Sequence, residues 1–89
     1  MKIRLELFGA SKDFSEKEYI DLDLKENSSI KDLRQKVINY LDNNFNGNEN
    51  FKKIAKTSAF CSEDNNIVND NYKITKEQKI GIIPPIGGG

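Results

Sequence analysis

The chain contains no histidine and a single cysteine, Cys61. Histidine is the commonest general base, nucleophile activator and metal ligand, so its absence argues against independent catalysis. A lone cysteine can form neither an intrachain disulfide nor a cysteine-based metal site, and it is consistent with a reducing compartment. We interpret Cys61 as a small buried hydrophobic residue rather than as a reactive thiol. We therefore expect a protein that is not an enzyme on its own and that binds no metal and no cofactor.

An excess of charge of one sign is also lacking, because 14 Lys and Arg residues offset 14 Asp and Glu residues. No basic block with interleaved aromatic residues is present, so we do not expect binding to nucleic acid. Apolar residues make up 36% of the chain and charged residues 31%, as is typical of a globular protein. A chain of 89 residues has room for one domain of this kind and not for two.

The amino-terminal segment lacks the apolar run of a secretory signal. Residues 1–8 instead alternate charged and apolar side chains. We therefore expect the protein to stay in the cytoplasm, with no contact with a membrane.

Two alternating segments predict an antiparallel strand pair, at residues 2–8 and 19–25, joined by a polar loop through residues 12–16. Acidic residues of the second segment, such as Asp21 and Asp23, are interpreted as a solvated strand face rather than as a metal site. The residues predicted to face the core are Ile3, Leu5, Leu7, Ile20, Leu22 and Leu24.

The periodicity then changes to that of an amphipathic helix, predicted over residues 30–43. Ser29 is suited to cap its first turn, and Asp32 places negative charge near the positive end of the helix dipole. The predicted buried stripe contains Ile30, Leu33, Val37, Ile38 and Leu41.

The rest of the chain is less regular. We interpret the asparagine-rich stretch up to Asn50 as a solvated loop, with Phe45 or Phe51 attached to the core. The following segments are predicted as a strand around 54–60, a turn at 62–66, a short apolar piece at 67–68 and a final strand at 79–83. The order β-β-α-β-β predicts an α+β domain in which one main helix packs across one sheet.

The last residues carry the most specific signal in the sequence. Pro84 and Pro85 fix the backbone φ angle and lack N–H donors, so strand pairing should end there and the tail should leave in a defined direction. The glycines that follow are either a frayed end without a function or a segment narrow enough to enter a channel in a partner. If Ile80 and Ile82 face the core, Ile83 remains as an apolar anchor for that partner, as does Ile86.

Residues 29–35 (SIKDLRQ) and 80–89 (IGIIPPIGGG), together with the opening strand pair, resemble the MoaD/ThiS family of ubiquitin-like sulfur carriers. Within that family the similarity is to the MoaD group, the small subunits of molybdopterin synthase. The resemblance extends over essentially the whole chain, and its specific part is the ending. It implies a ubiquitin-like β-grasp fold with a mixed sheet over residues 1–83, followed by a flexible tail over residues 84–89.

The resemblance also implies a function for the tail. An E1-like adenylyltransferase would use ATP to adenylate the carboxylate of Gly89, and a persulfide sulfur donor would convert it to a thiocarboxylate. That group would donate sulfur to a pterin precursor to form the molybdopterin dithiolene. The implied partner is the large catalytic subunit of molybdopterin synthase, in a heterotetramer. Gly87 and Gly88 would thread into that partner, and the contact residues would be Ile83, Pro84, Pro85 and Ile86.

Three alternatives to this function remain. A sulfur carrier for the thiazole of thiamine has a similar fold and tail but usually lacks the two prolines. A ubiquitin-like modifier would join its terminus to lysines through isopeptide bonds. A plain interaction domain with an inert tail is the third alternative, and it leaves the ending unexplained.

Overall fold

The first two strands form the predicted hairpin. In the computed structural model, which describes residues 1–85, strand β1 spans Lys2–Leu7 and strand β2 spans Tyr19–Asp23. They pair antiparallel, with Leu5 opposite Ile20. The alternating apolar residues of both strands are buried, as the sequence pattern predicts.

The connection between these strands is more ordered than the predicted polar loop. A 3₁₀ helix occupies Gly9–Phe14, and Phe14 at its end is completely buried. The ring of Phe14 packs against Phe51, with 5.2 Å between the ring centroids. The aromatic side chain therefore draws this polar segment onto the core.

The main helix, α1, spans Ile30–Phe45, two residues longer than the 14-residue helix predicted at 30–43. Ser29 caps it as predicted, since its hydroxyl oxygen accepts from the backbone N–H of Asp32 at 3.3 Å. The Asp32 carboxylate in turn accepts from the N–H of Ser29 at 2.9 Å and from its hydroxyl at 3.1 Å, and these two hydrogen bonds lower the pKa of the carboxyl below its ordinary value of 3.8. Asn46 ends the helix in the left-handed conformation, at φ 53°.

A second helix, α2, spans Glu49–Thr57, where the sequence had predicted a loop followed by a strand over 54–60. The prediction was wrong for residues 49–57, whereas Ala59 and Phe60, at the end of the predicted strand, do lie in a strand. Asn48 caps the helix by accepting from the N–H of Phe51 at 3.1 Å. Phe51, Ile54 and Ala55 then lie one helical turn apart and pack against the core, which explains why this segment is helical.

Three further strands complete the chain: β3 at Ala59–Cys61, β4 at Ile67–Val68 and β5 at Gln78–Ile83. The predicted turn at 62–66 joins β3 to β4, with the N–H of Ser62 donating to the carbonyl of Asn66 at 2.8 Å. Within residues 1–85 the order is therefore β-β-α-α-β-β-β, and the predicted β-β-α-β-β order lacked one helix and one strand.

The strands of the described chain form one mixed sheet in the order β2-β1-β5-β3-β4. The last strand, β5, lies at the centre, parallel to β1 and antiparallel to β3. The core lies between one face of this sheet, here called the inner face, and α1. Its largest fully buried side chains are Phe14, Phe60, Ile3, Leu5, Ile30, Leu33, Leu41, Ile74, Ile80, Ile82 and Val37. Neither α-helix in residues 1–85 has the length and apolar character needed to cross a membrane.

Candidate functional site

The chain leaves the domain directly from its central strand. β5 ends at Ile83, and Pro84 and Pro85 follow. Pro84 is buried, and its Cδ atom lies 3.8 Å from where a Cβ on Gly9 would be. Pro85 is exposed. Pro84 therefore belongs to the body of the domain and fixes the start of the tail, whereas Pro85 is accessible to a partner.

The predicted chemical group lies beyond this point. Ile86, Gly87, Gly88 and Gly89 are outside the described residues. The adenylation site at Gly89, the two threading glycines and the Ile86 anchor stay predictions.

The outer face of the sheet, which is the face opposite α1, carries an open groove of about 630 Å³. Its lining combines apolar side chains with charged side chains such as Glu6 and Lys79. Ile83 lies in this groove, half-buried, where a partner bound at the chain exit would meet it. The lining residues are Glu6, Phe8, Cys61, Ser62, Glu63, Asn65, Lys79, Gly81 and Ile83.

Phe8 is the residue of this groove that the sequence analysis missed. Its side chain is 47% exposed, which is unusual for a phenylalanine. A signal was present, because Phe8 continues the alternation of Arg4 and Glu6 and so places an aromatic ring on the polar face of β1. Aromatic residues are enriched at protein interfaces, which makes the exposed ring of Phe8 a candidate contact for a partner.

Cys61 also lies in the groove and not in the core. The buried residue of β3 is its neighbour Phe60, and Cys61 is only half-buried. The interpretation of Cys61 as a buried hydrophobic residue was therefore wrong. Its position on the outer face makes it a probe for anything that covers the groove.

Beyond the groove, the outer face is polar. Arg4 donates from Nε to Oδ1 of Asp21 at 3.1 Å, and its guanidinium carbon lies 3.9 Å from the centre of the Tyr19 ring. The hydrogen bond from Arg4 lowers the pKa of the Asp21 carboxyl. Asp21 thus belongs to a solvated strand face, as the sequence predicted, and its ion pair with Arg4 is an addition that the sequence pattern did not reveal. Across residues 1–85, no three His, Cys, Asp or Glu side chains are grouped so that they could hold a metal ion.

Comparison with known proteins shows the fold. No protein-family model matches the sequence, and neither does any curated protein sequence. The structure is similar to SAMP1 from Haloferax volcanii, with a TM-score of 0.70 and 11% identity over 100% of both chains. It is also similar to a ubiquitin from Caldiarchaeum subterraneum, with a TM-score of 0.62 and 17% identity over 100% of this chain and 98% of the ubiquitin.

A third similar structure is a complex of subunits 1 and 2 of the molybdopterin-converting factor from Helicobacter pylori. The matched chain gives a TM-score of 0.60 and 19% identity, with 100% of both chains covered. The protein thus has the ubiquitin-like fold implied by the sequence resemblance, the fold of ubiquitin, SAMP1 and MoaD-like proteins. At these identities the likeness establishes the fold alone.

Proposed function

We propose that this protein is a sulfur carrier, the small subunit of a molybdopterin synthase. The observation that carries the proposal is the sequence Pro-Pro-Ile-Gly-Gly-Gly directly after the central strand of a ubiquitin-like domain. A similar domain occurs in the Helicobacter pylori complex of molybdopterin-converting factor subunits 1 and 2, which supports the choice of pathway. The carrier acts in the cytoplasm and has no turnover alone.

The proposed chemistry takes place at the carboxylate of Gly89. A carboxylate is an unreactive acyl donor at neutral pH, because it is fully ionised. An E1-like adenylyltransferase joins it to the AMP part of ATP and releases pyrophosphate. A persulfide sulfur then attacks the acyl carbon and displaces AMP, and a thiol cleaves the resulting acyl disulfide to leave the thiocarboxylate. The thiocarboxylate sulfur is the nucleophile that the carrier delivers.

The geometry of the chain exit suits this role. Four residues follow Pro85, and a fully extended chain of that length reaches about 13–14 Å. Glycine at the tip allows close approach to the walls of a narrow pocket, because it has no Cβ. Since Pro84 is buried, the point from which the tail extends is fixed to the domain.

Contacts by the domain must hold the complex. Ordering glycine residues costs about 1–2 kcal/mol each in backbone entropy, and the tail has few side chains to offset that cost. We assign the contact with the large catalytic subunit to the groove around Phe8 and Ile83, together with Pro85 and Ile86. From the resemblance to the MoaD group, we also expect a heterotetramer with two copies of each subunit.

Cys61 offers a direct test of this contact. It is the only cysteine, so alkylation by iodoacetamide, followed by intact mass, reports on the groove without ambiguity. The purified large subunit should slow the alkylation of Cys61, and an unrelated protein at the same concentration should not. An unchanged rate would place the interface elsewhere.

The chemistry is tested by incubating the protein with ATP, the activating enzyme and a persulfide donor. We expect the intact mass to rise by the replacement of one oxygen with sulfur, confined to the peptide that ends at Gly89. The mass before reaction also shows whether Gly89 carries a free carboxylate, which the proposal requires. A protein with that carboxylate that never acquires sulfur would refute the proposal.

The structural similarity to a ubiquitin favours a second candidate, a protein modifier. In that case the adenylated Gly89 would be transferred to lysine amines. Conjugates of higher mass in a lysate supplied with ATP, without a sulfur-bearing intermediate, would support the modifier over the carrier.

A further inference from the structure

The backbone of Phe8 is held in place although its ring is exposed. The hydroxyl of Ser11 accepts from the N–H of Phe8 at 3.0 Å and donates to the carbonyl of Phe8 at 2.6 Å. Ser11 itself is completely buried. The chain then turns at Gly9, whose φ of +55° favours glycine. Both backbone polar groups of Phe8 are therefore fixed by the start of the 3₁₀ helix.

The ring of Phe8 lies against Gly81 in the middle of β5. A Cβ built on Gly81 would lie 3.0 Å from Cε2 and 3.5 Å from Cδ2 of the ring, and 3.7 Å from Cβ of Cys61. A separation of 3.0 Å is tighter than most real Cβ contacts, so the ring would have to move by a few tenths of an ångström to admit a methyl group, and further to admit a larger side chain. Glycine inside a strand weakens the strand, and it often marks a site where another group approaches closely.

We propose that Gly81 is a positioning residue for Phe8. Because Gly81 has no side chain, the ring of Phe8 can lie on the central strand, where it is already in position to contact the partner. This inference rests on the proposed function and deepens it, because it names the device that shapes the partner-binding groove. A ring that is already in place loses little conformational entropy on binding, and rigid aromatic anchors contribute to affinity in this way.

The position of the ring is tested in the free protein. In the NMR spectrum, the α-protons of Gly81 should be shifted away from ordinary values by the ring current of Phe8. The Phe8→Leu variant, which keeps an apolar side chain of similar reach, should return them to ordinary values. Resonances of Gly81 that do not depend on Phe8 would overturn the inference without any partner being present.

The consequence for binding is tested with the purified large subunit, the partner proposed above. Gly81→Val should weaken binding by about tenfold, since it displaces an aromatic anchor. Its midpoint of unfolding in urea should be equal or higher, because valine suits a strand better than glycine. Gly81→Ala, with a single methyl group, should show a smaller effect of the same sign.

A double-mutant cycle separates positioning from a direct clash. In the Phe8→Ala background, Gly81→Val should have no further effect on affinity, because no ring remains to be displaced. An equal loss in both backgrounds would mean that the valine itself meets the partner, and the inference would be wrong. If the wild-type protein fails to bind the large subunit, the proposed function fails, whereas the α-proton shift of Gly81 still decides whether the ring lies as inferred.

Discussion

The guanidinium of Arg34 in α1 donates from Nη2 to Oδ1 of Asp70 at 2.8 Å, and this pair joins the main helix to the loop after β4. The other terminal nitrogen, Nη1, donates to three backbone carbonyls where α2 ends and β3 begins. These are the carbonyls of Ala55 at 2.8 Å, Lys56 at 3.2 Å and Ser58 at 2.7 Å. One side chain therefore holds together the part of the fold that the sequence analysis assigned wrongly.

We predict that Arg34→Met lowers the free energy of unfolding by about 1–3 kcal/mol, because part-buried carbonyls lose their donor while the aliphatic stem is retained. The side chain of Arg34 is only 18% exposed, so water does not replace it freely. Asp70→Asn is the matched control. It keeps an acceptor oxygen at a half-exposed position and should cost about 0–1 kcal/mol. Urea denaturation measures both, and equal losses would contradict the assigned role of the carbonyls.

The regular parts of the fold could be predicted from sequence because each buries one continuous stripe. β1, β2 and α1 each place their apolar residues at one period, and all three were found. In α2 only Ala55 is fully buried. The backbone carbonyl of Ala55 accepts a hydrogen bond from Arg34, which lies 21 positions earlier in the sequence. No local pattern reveals a contact of that kind. The spacing of Phe51, Ile54 and Ala55, after the asparagine cap, was the one local signal for this helix.

The site was predicted less well than the fold. The ending was recognised by its residue types, and Ile83 lies in the groove beside the chain exit, while its contact with a partner stays a prediction. Phe8 lies near Ile83 because β1 and β5 pair in parallel, with Leu7 opposite Ile82. These strands come from opposite ends of the chain, and the sequence of either strand alone does not show that they pair. Pro84 could not be distinguished from Pro85, since its burial depends on the turn at Gly9.

The helix stripe is tested by truncating one of its residues. Leu33 is completely buried, and Leu33→Ala should reduce the free energy of unfolding by about 2–5 kcal/mol, because it leaves a cavity in the core. Lys36→Ala, on the exposed side of α1, should change it by less than about 0.5 kcal/mol. Thermal melts of the two variants provide the comparison. A negligible shift for Leu33→Ala would contradict the assigned helix face.

The capping pair at the start of α1 predicts a dependence of stability on pH. Hydrogen bonds from Ser29 lower the pKa of Asp32 in the folded state below 3.8, its ordinary value. The folded protein therefore binds this proton less readily than the unfolded chain does, so the contribution is fully present above the ordinary pKa. It is lost as the pH falls through the lower, folded value. Asp32→Asn should be less stable than the wild type at pH 7, and the difference should shrink under strongly acidic conditions. A difference that does not change with pH would contradict this.

The anchor at the chain exit is tested by adding charge. Ile83→Asp should weaken binding to the large subunit by about tenfold or more, because an apolar contact is lost and an ion must be desolvated. The matched control is Asn39→Asp on α1, across the sheet from the groove, where the new carboxylate keeps the oxygen that accepts from Gln35. Both variants gain one negative charge, so a general charge effect would lower both affinities equally. Calorimetric titration with the large subunit distinguishes these results.

The tail is tested by moving its end. Deleting Gly88 and Gly89 shortens the extended chain by about 7 Å, enough to withdraw the carboxylate from a pocket shaped for the full length. We expect the truncated protein to fold with an unchanged melting temperature, since the described core lies within residues 1–85. It should bind the large subunit through the groove, yet acquire no sulfur and form no dithiolene with the pterin precursor.

The companion variant carries one additional glycine after Gly89, which keeps the chemistry of the terminus and moves it outward by about 3.3–3.6 Å. Reduced dithiolene formation by the extended chain would show that reach matters as well as residue type, whereas full activity of the truncated chain would rule out Gly89 as the sulfur-bearing residue.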